Sequence, residues 1–148
     1  MNFVRRQDIG DVYSEGWLHR MAEAMNQNTT VEALRRLARD KDSNVRLVVA
    51  RNPNATKNML LIASRDRSPG VRETVARNPK IPPEAAINLS TSKVWRIRRA
   101  LSENPSAPGD VLTVLAMDED WLVRREVAYK PSTPVRVATV DSTMSYKK

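Results

Sequence analysis

Apolar residues in this chain come in short bursts, not in one long run. Between residues 31 and 129 each burst has positions three and four residues apart, the spacing that puts side chains on one face of a helix. The bursts are paired. The first of each pair predicts a helix A, at roughly residues 31–39, 57–65, 83–91 and 109–117. Its inward positions are Leu34, Leu37 and Ala38; Leu60, Ala63 and Ser64; Ala86, Leu89 and Ser90; and Leu112, Leu115 and Ala116. The second predicts a helix B, at roughly 44–51 and its equivalents, which buries Val45 and Val49, Val71 and Val75, Ile97 and Leu101, and Val123 and Val127.

The polar residues between bursts recur at the same interval. Asn-Pro stands at 52–53, 78–79 and 104–105, a step of 26 residues, and the next step reaches Lys130-Pro131. The same period carries Val45-Arg46, Val71-Arg72, Ile97-Arg98 and Val123-Arg124, the row Asp40, Asp66, Ser92, Asp118, and the small residues Ala50, Ala76, Ser102, Ala128. Asp42, Ser68 and Asp120 stand where helix B needs an N-cap, with Pro69 following one of them. Pro83 falls in the first turn of its helix A, where proline is tolerated. The asparagine ending each helix B is expected to tolerate a left-handed backbone, and the proline after it to stop the helix. Helices this short do not stand alone. Each unit has an apolar face that only its neighbours can cover, which is the logic of a solenoid.

The units are 26–51, 52–77, 78–103 and 104–129, followed by a half-repeat at 130–140 opened by Pro134. Residues 1–25 match the repeat poorly. Within them, 11–25 predict one amphipathic helix with Val12, Trp17, Met21 and Met25 as apolar positions, read as an N-terminal cap. Residues 141–148 read as a mobile basic tail.

The stretches Asp40–Arg46 and Val71–Pro79, an Asp-x5-Arg pattern followed by Val-Ala-x-Asn-Pro, resemble the leucine-rich repeat variant family and, more broadly, HEAT-like helical repeats. The resemblance covers about residues 26–131. It implies an all-α chain: a short right-handed α-solenoid of four two-helix repeats with a helical N-terminal cap. It also implies a ladder between neighbouring repeats, made by Asp40, Asp66 and Asp118 with Arg46, Arg72, Arg98 and Arg124. The third repeat departs from the pattern, with Ser92 for Asp and Ser102 for Ala. Some members of the family carry a cysteine-rich metal cluster. This chain has no cysteine, so that function does not carry over.

Composition narrows the chemistry. Aromatics are only 5% of the 148 residues, so the core is aliphatic. Without cysteine there are no disulfides, thiol nucleophiles or cysteine-held metals. No apolar run approaches the ~20 residues needed to span a bilayer, and the first ten residues lack a signal-peptide core. The expectation is a soluble, cytoplasmic protein with no cofactor, metal, small-molecule substrate or membrane partner. The single histidine, His19, has no ligand spacing around it. Asp118, Glu119 and Asp120 read as a solvated turn. HEAT-like folds include glycosylases that use Trp, Asp and Arg on the concave face. Trp95 and Trp121 share a column here, but are expected to pack against the neighbouring turn.

A net charge of +8 points to an acidic partner. Many arginines have local uses: the ladder, the i, i+4 pairs Glu73–Arg77 and Arg99–Glu103, and Arg39 and Arg65 at helix A C-termini. One column is left over. Lys41, Arg67 and Lys93 share a position in the A–B turn, joined by Arg96, and should line one edge. The first three repeats are net basic and the fourth net acidic. Helix B offers a second surface, with Leu47, Val48, Arg51, Thr74, Arg77, Arg99, Arg125 and Tyr129. The sequence reads as a non-catalytic scaffold that binds a protein through the helix-B face and the basic edge. Sequence-independent DNA or RNA binding by the basic repeats is the alternative.

Overall fold

The computed structural model describes residues 15–131. The expected Val12 position, the Pro134 half-repeat and the basic tail lie outside the described residues. Among those described there are nine helices and no strand: α1 (Glu15–Met25), α2 (Val31–Leu37), α3 (Ser43–Arg51), α4 (Lys57–Ala63), α5 (Pro69–Arg77), α6 (Pro83–Ser90), α7 (Trp95–Glu103), α8 (Gly109–Leu115) and α9 (Trp121–Ala128). Helices α2, α4, α6 and α8 are the A helices, and α3, α5, α7 and α9 the B helices. Every substantial helix–helix contact joins elements no more than two places apart in the chain. Each B helix packs on the next B helix along the stack, and this row forms the tighter seam.

The core is the set of apolar positions that repeat every 26 residues. Leu34, Leu60, Leu115, Val45, Val71, Val75, Ile97, Leu101, Val123 and Val127 are fully buried. Ala76 and Ser102 are also fully buried, so that column lets adjacent B helices approach closely. Ala38 and Ala63 are only half-buried, at the ends of their A helices.

The helix ends follow local chemistry. Thr30 and Thr56 cap α2 and α4 by accepting from the amides of Ala33 and Met59. Asp42 and Asp120 cap α3 and α9 through the amides of Asn44 and Leu122. Ser68 departs from expectation: its hydroxyl makes no capping bond. Pro69 follows it at the start of α5, supplying a fixed φ while removing one of the amides that would need a cap.

Two further expectations are corrected. The asparagines that end the B helices are extended, not left-handed: φ/ψ is −63/133° at Asn52, −72/126° at Asn78 and −70/121° at Asn104. No described residue has positive φ. In α1, Met25 is 66% exposed and Ala24 is the fully buried residue. The reason is register. Ala24 stands 26 residues before Ala50, and Arg20 stands 26 before Arg46. Helix α1 packs on α3 as α3 packs on α5, so it occupies the place of a B helix.

Candidate functional site

Two hydrogen-bonded ladders run along the stack, and they determine which polar groups remain for a partner. In the first, a B-helix arginine reaches the aspartate 20 residues ahead. Arg46 donates from Nε and Nη2 to the two carboxylate oxygens of Asp66 at 2.7 and 2.9 Å. Arg98 holds Asp118 in the same way at 2.7 and 2.9 Å. Arg20 does so with Asp40 at 2.6 and 3.5 Å, adding a rung that the sequence pattern alone did not reveal. The Nη1 atoms turn back onto their own A–B turn. Those of Arg46, Arg72, Arg98 and Arg124 donate to the carbonyls of Asp40, Asp66, Ser92 and Asp118 at 2.6–2.7 Å. Each ladder aspartate also accepts from the amide two residues on, closing the turn: Asp40 from Asp42, Asp66 from Ser68 and Asp118 from Asp120.

The electrostatics follow from this geometry. The Arg46 guanidinium holds the Asp66 carboxyl below the usual range and has its own pKa raised in return. Burial works against the Asp40 charge, but the Asp42 amide and Arg20 outweigh it, so that carboxyl is also lowered. Asp118 raises the pKa of Arg98 through their shared hydrogen bonds. Arg46 and Arg98 are only 7% and 6% exposed and are unavailable to a partner.

The second ladder uses the asparagine column, whose role the sequence reading missed. Asn52, Asn78 and Asn104 donate from Nδ2 to the carbonyls of Ala24, Ala50 and Ala76 at 2.9, 2.7 and 2.7 Å. Asn52 and Asn104 also reach the carbonyls of Asn26 and Asn78. Their Oδ1 atoms accept from the amides of Asn54, Lys80 and Ser106. Lys130, in the same column, donates from Nζ to the Asn104 carbonyl, and burial lowers its pKa. The exact recurrence of asparagine, where glycine would have served a simple turn, was the available signal.

On the helix-B face Arg77, Arg99 and Arg125 are paired with glutamates of the same or the next B helix. Arg77 contacts Glu73 at 3.1 Å and Glu103 at 2.9 Å. Arg99 contacts Glu103 at 2.8 Å, and Arg125 contacts Glu126 at 2.8 Å. Burial opposes the charge on Arg77, but its two glutamates outweigh that and raise its pKa. Thr74 is not part of this surface: it is buried, with its hydroxyl bonded to the Gly70 carbonyl. Leu47 and Val48 are half-buried, and Arg51 and Tyr129 are exposed.

The A–B turns present a different edge. Lys41, Arg67 and Lys93 are all exposed, and none has an ion-pair partner among the described residues. Arg67 makes one long contact, from Nη2 to the Lys41 carbonyl at 3.4 Å, which ties successive turns together. Glu119 takes this position in the fourth repeat and leans toward Arg98 at 3.3 Å. Trp95 and Trp121 are not packed away as expected; they are 36% and 58% exposed. They open their helices at the same edge, and Arg96 and Arg125 lie over their rings at 5.9 and 5.3 Å from the centroids.

His19 is exposed on α1. No group of His, Asp and Glu suited to a metal ion occurs among the described residues, and none of the described helices is long and apolar enough to cross a membrane. A cleft of about 210 Å³ between the first two repeats is lined chiefly by Ala38, Arg39, Val49, Met59, Ile62 and Ala63. The carboxylate in its lining, Asp66, is held by Arg46.

No curated protein and no solved structure matches the chain. The model of the leucine rich repeat variant family matches residues 95–120, the length of one repeat, from the first residue of α7 to the aspartate that caps α9. Residues 95–120 are thus similar to one leucine rich repeat variant unit, and the columns at 26-residue steps repeat the same marks on either side of it.

Proposed function

We propose that this chain is a non-catalytic helical-repeat scaffold that binds an acidic partner protein along the edge formed by Lys41, Arg67 and Lys93, with the neighbouring helix-B face completing the contact. The observation that carries this reading is the separation of the cations into two sets. Arg20, Arg46 and Arg98 of the ladder and Arg77, Arg99 and Arg125 of the B face are matched by internal carboxylates. Those of the edge recur in each of the first three repeats, are exposed and have no such match among the described residues. Charges stacked at helix-packing intervals of ~8–10 Å form a row suited to an acidic surface, where complementarity governs partner choice and association rate.

Exposed Trp95 and Trp121 favour a second reading, in which the edge follows a nucleic-acid backbone and the rings stack on bases. Such binding would weaken steeply with salt.

One experiment separates the two. Wild-type protein and the Lys41→Glu/Arg67→Glu/Lys93→Glu variant are immobilised and exposed to host extract, and both are titrated by anisotropy with labelled single-stranded and duplex DNA and RNA at low and physiological salt. A protein retained by the wild type and lost by the variant, with no nucleic-acid binding, supports the scaffold reading. Micromolar, salt-sensitive nucleic-acid binding that the variant loses replaces it with the second. Partners retained equally by wild type and variant overturn the role of the edge.

A further inference from the structure

Among the rungs of the arginine ladder whose two ends are both described, one is irregular. Arg20, Arg46 and Arg98 each meet an aspartate 20 residues ahead, at 40, 66 and 118. The residue 20 ahead of Arg72 is Ser92. Arg72 nevertheless adopts the same anchoring as its counterparts. Its Nη1 donates to the carbonyls of Asp66 and Arg67 at 2.6 and 3.3 Å, as Arg46 Nη1 donates to those of Asp40 and Lys41 at 2.7 and 3.2 Å. Ser92 also keeps half of the aspartate's role, since its Oγ accepts from the Val94 amide at 3.2 Å. It lacks the charge and the pair of oxygens that Nε and Nη2 grip in the other rungs. No carboxylate among the described residues pairs with Arg72.

We infer that this rung is a binding site for a carboxylate, supplied by an aspartate or glutamate side chain of the partner. The inference rests on the protein-scaffold reading and assigns the partner a contact point on the edge. The three complete rungs are the template for the ligand. Each is a planar carboxylate gripped by two nitrogens of one guanidinium, the geometry for which arginine is best suited. Ser92 has one side-chain heavy atom beyond Cβ where aspartate has three, so the shortfall beside Arg72 is about the tip of a carboxylate. Both Arg72 and Ser92 are half-buried, so the site is open to an incoming side chain while screening its charge from water. The flanking exposed residues are Arg67 and Lys93, two of the three unmatched edge cations, which draw an anion toward it. A carboxylate docked here would complete the ladder across α5 and α7, coupling recognition to the stiffness of the stack.

The test uses the full chain and nuclear magnetic resonance of the Arg72 Nε–H group. Sodium acetate, and separately a blocked single-aspartate peptide, are titrated against sodium chloride at constant ionic strength. Saturable movement of the Arg72 signal with acetate and peptide, at least tenfold weaker with chloride, is expected. Ser92→Asp supplies the carboxylate internally. It should abolish the titration and raise the thermal midpoint above that of wild type, while Ser92→Asn, which lacks the charge, should not raise it. A signal that does not respond to acetate, or that responds equally in Ser92→Asp, overturns the inference, as does a Ser92→Asp midpoint no higher than that of Ser92→Asn. These readouts need no partner. Failure of the edge reading would leave the acetate titration intact, and failure here would leave the effect of the edge variant intact.

Discussion

At the scale of the residue, the ladder concentrates cost in a few side chains. Asp66 accepts from Arg46 twice and from the Ser68 amide at 2.8 Å, and Arg46 is nearly inaccessible to water. Asp66→Ala would leave a buried guanidinium without its counter-charge, at a cost of about 3 kcal/mol; urea unfolding at neutral pH checks this. The same carboxylates set the response to acid. Asp40 and Asp66 have pKa values lowered in the folded chain. Their stabilisation is therefore complete above the unfolded aspartate value, about 3.9. It is lost as pH falls through the lower folded values, where the folded chain must take up protons that the unfolded chain already holds. Urea midpoints should be flat near neutrality and fall on acidification below about pH 4. The fall should be shallower in Asp66→Ala, which has one fewer depressed carboxyl.

At the scale of the element, the question is how a helix of seven to nine residues ends without wasting its last carbonyls, which have no partner within the helix. The asparagine column answers it between repeats. Asn104, 3% exposed, satisfies the carbonyls of Ala76 and Asn78 at the end of α5 while its Oδ1 holds the turn after α7. Asn104→Ala should cost about 2–3 kcal/mol through stranded buried carbonyls. Asn104→Asp, which keeps the shape but cannot donate when ionised, should cost at least as much at neutral pH. Thermal melts of the two variants test this, and near-wild-type stability of Asn104→Asp would refute a donor role.

At the scale of the whole molecule, contacts are confined to near neighbours in the chain, so the stack is stabilised by one interface after another. Leu101 is fully buried on α7, the B helix between α5 and α9. Leu101→Ala should cost about 3 kcal/mol. Because no element spans the stack, the damage should stay local: amide exchange should accelerate in α7 and in the helices packed on it, α5, α6, α8 and α9, while α1 and α2 keep their protection. Uniform acceleration through all helices would show stronger coupling than this contact pattern provides.

The 26-residue period determined the helices, their inward faces and the solenoid class, because burial of a helix face depends on spacing within a few residues. Val45, Ile97 and Val123 could be placed in the core from that spacing alone, and Lys41, Arg67 and Lys93 on one turn from their shared column. Tertiary structure decided what depends on groups a full repeat apart. Asn52 is extended, as a residue before proline favours, but that its amide then meets the Ala24 carbonyl is decided by the stacking of the repeats. Arg20 belongs to the ladder although its surroundings lack the repeat's other marks. Arg77 reaches Glu103 on the next B helix, beyond the Glu73 pairing legible in the sequence, whereas Trp95 and Trp121 are left exposed. For Asn52, Arg20 and Arg77 the deciding partner lies 20 to 28 residues away, and only the stacking of one repeat on the next brings it within hydrogen-bonding reach.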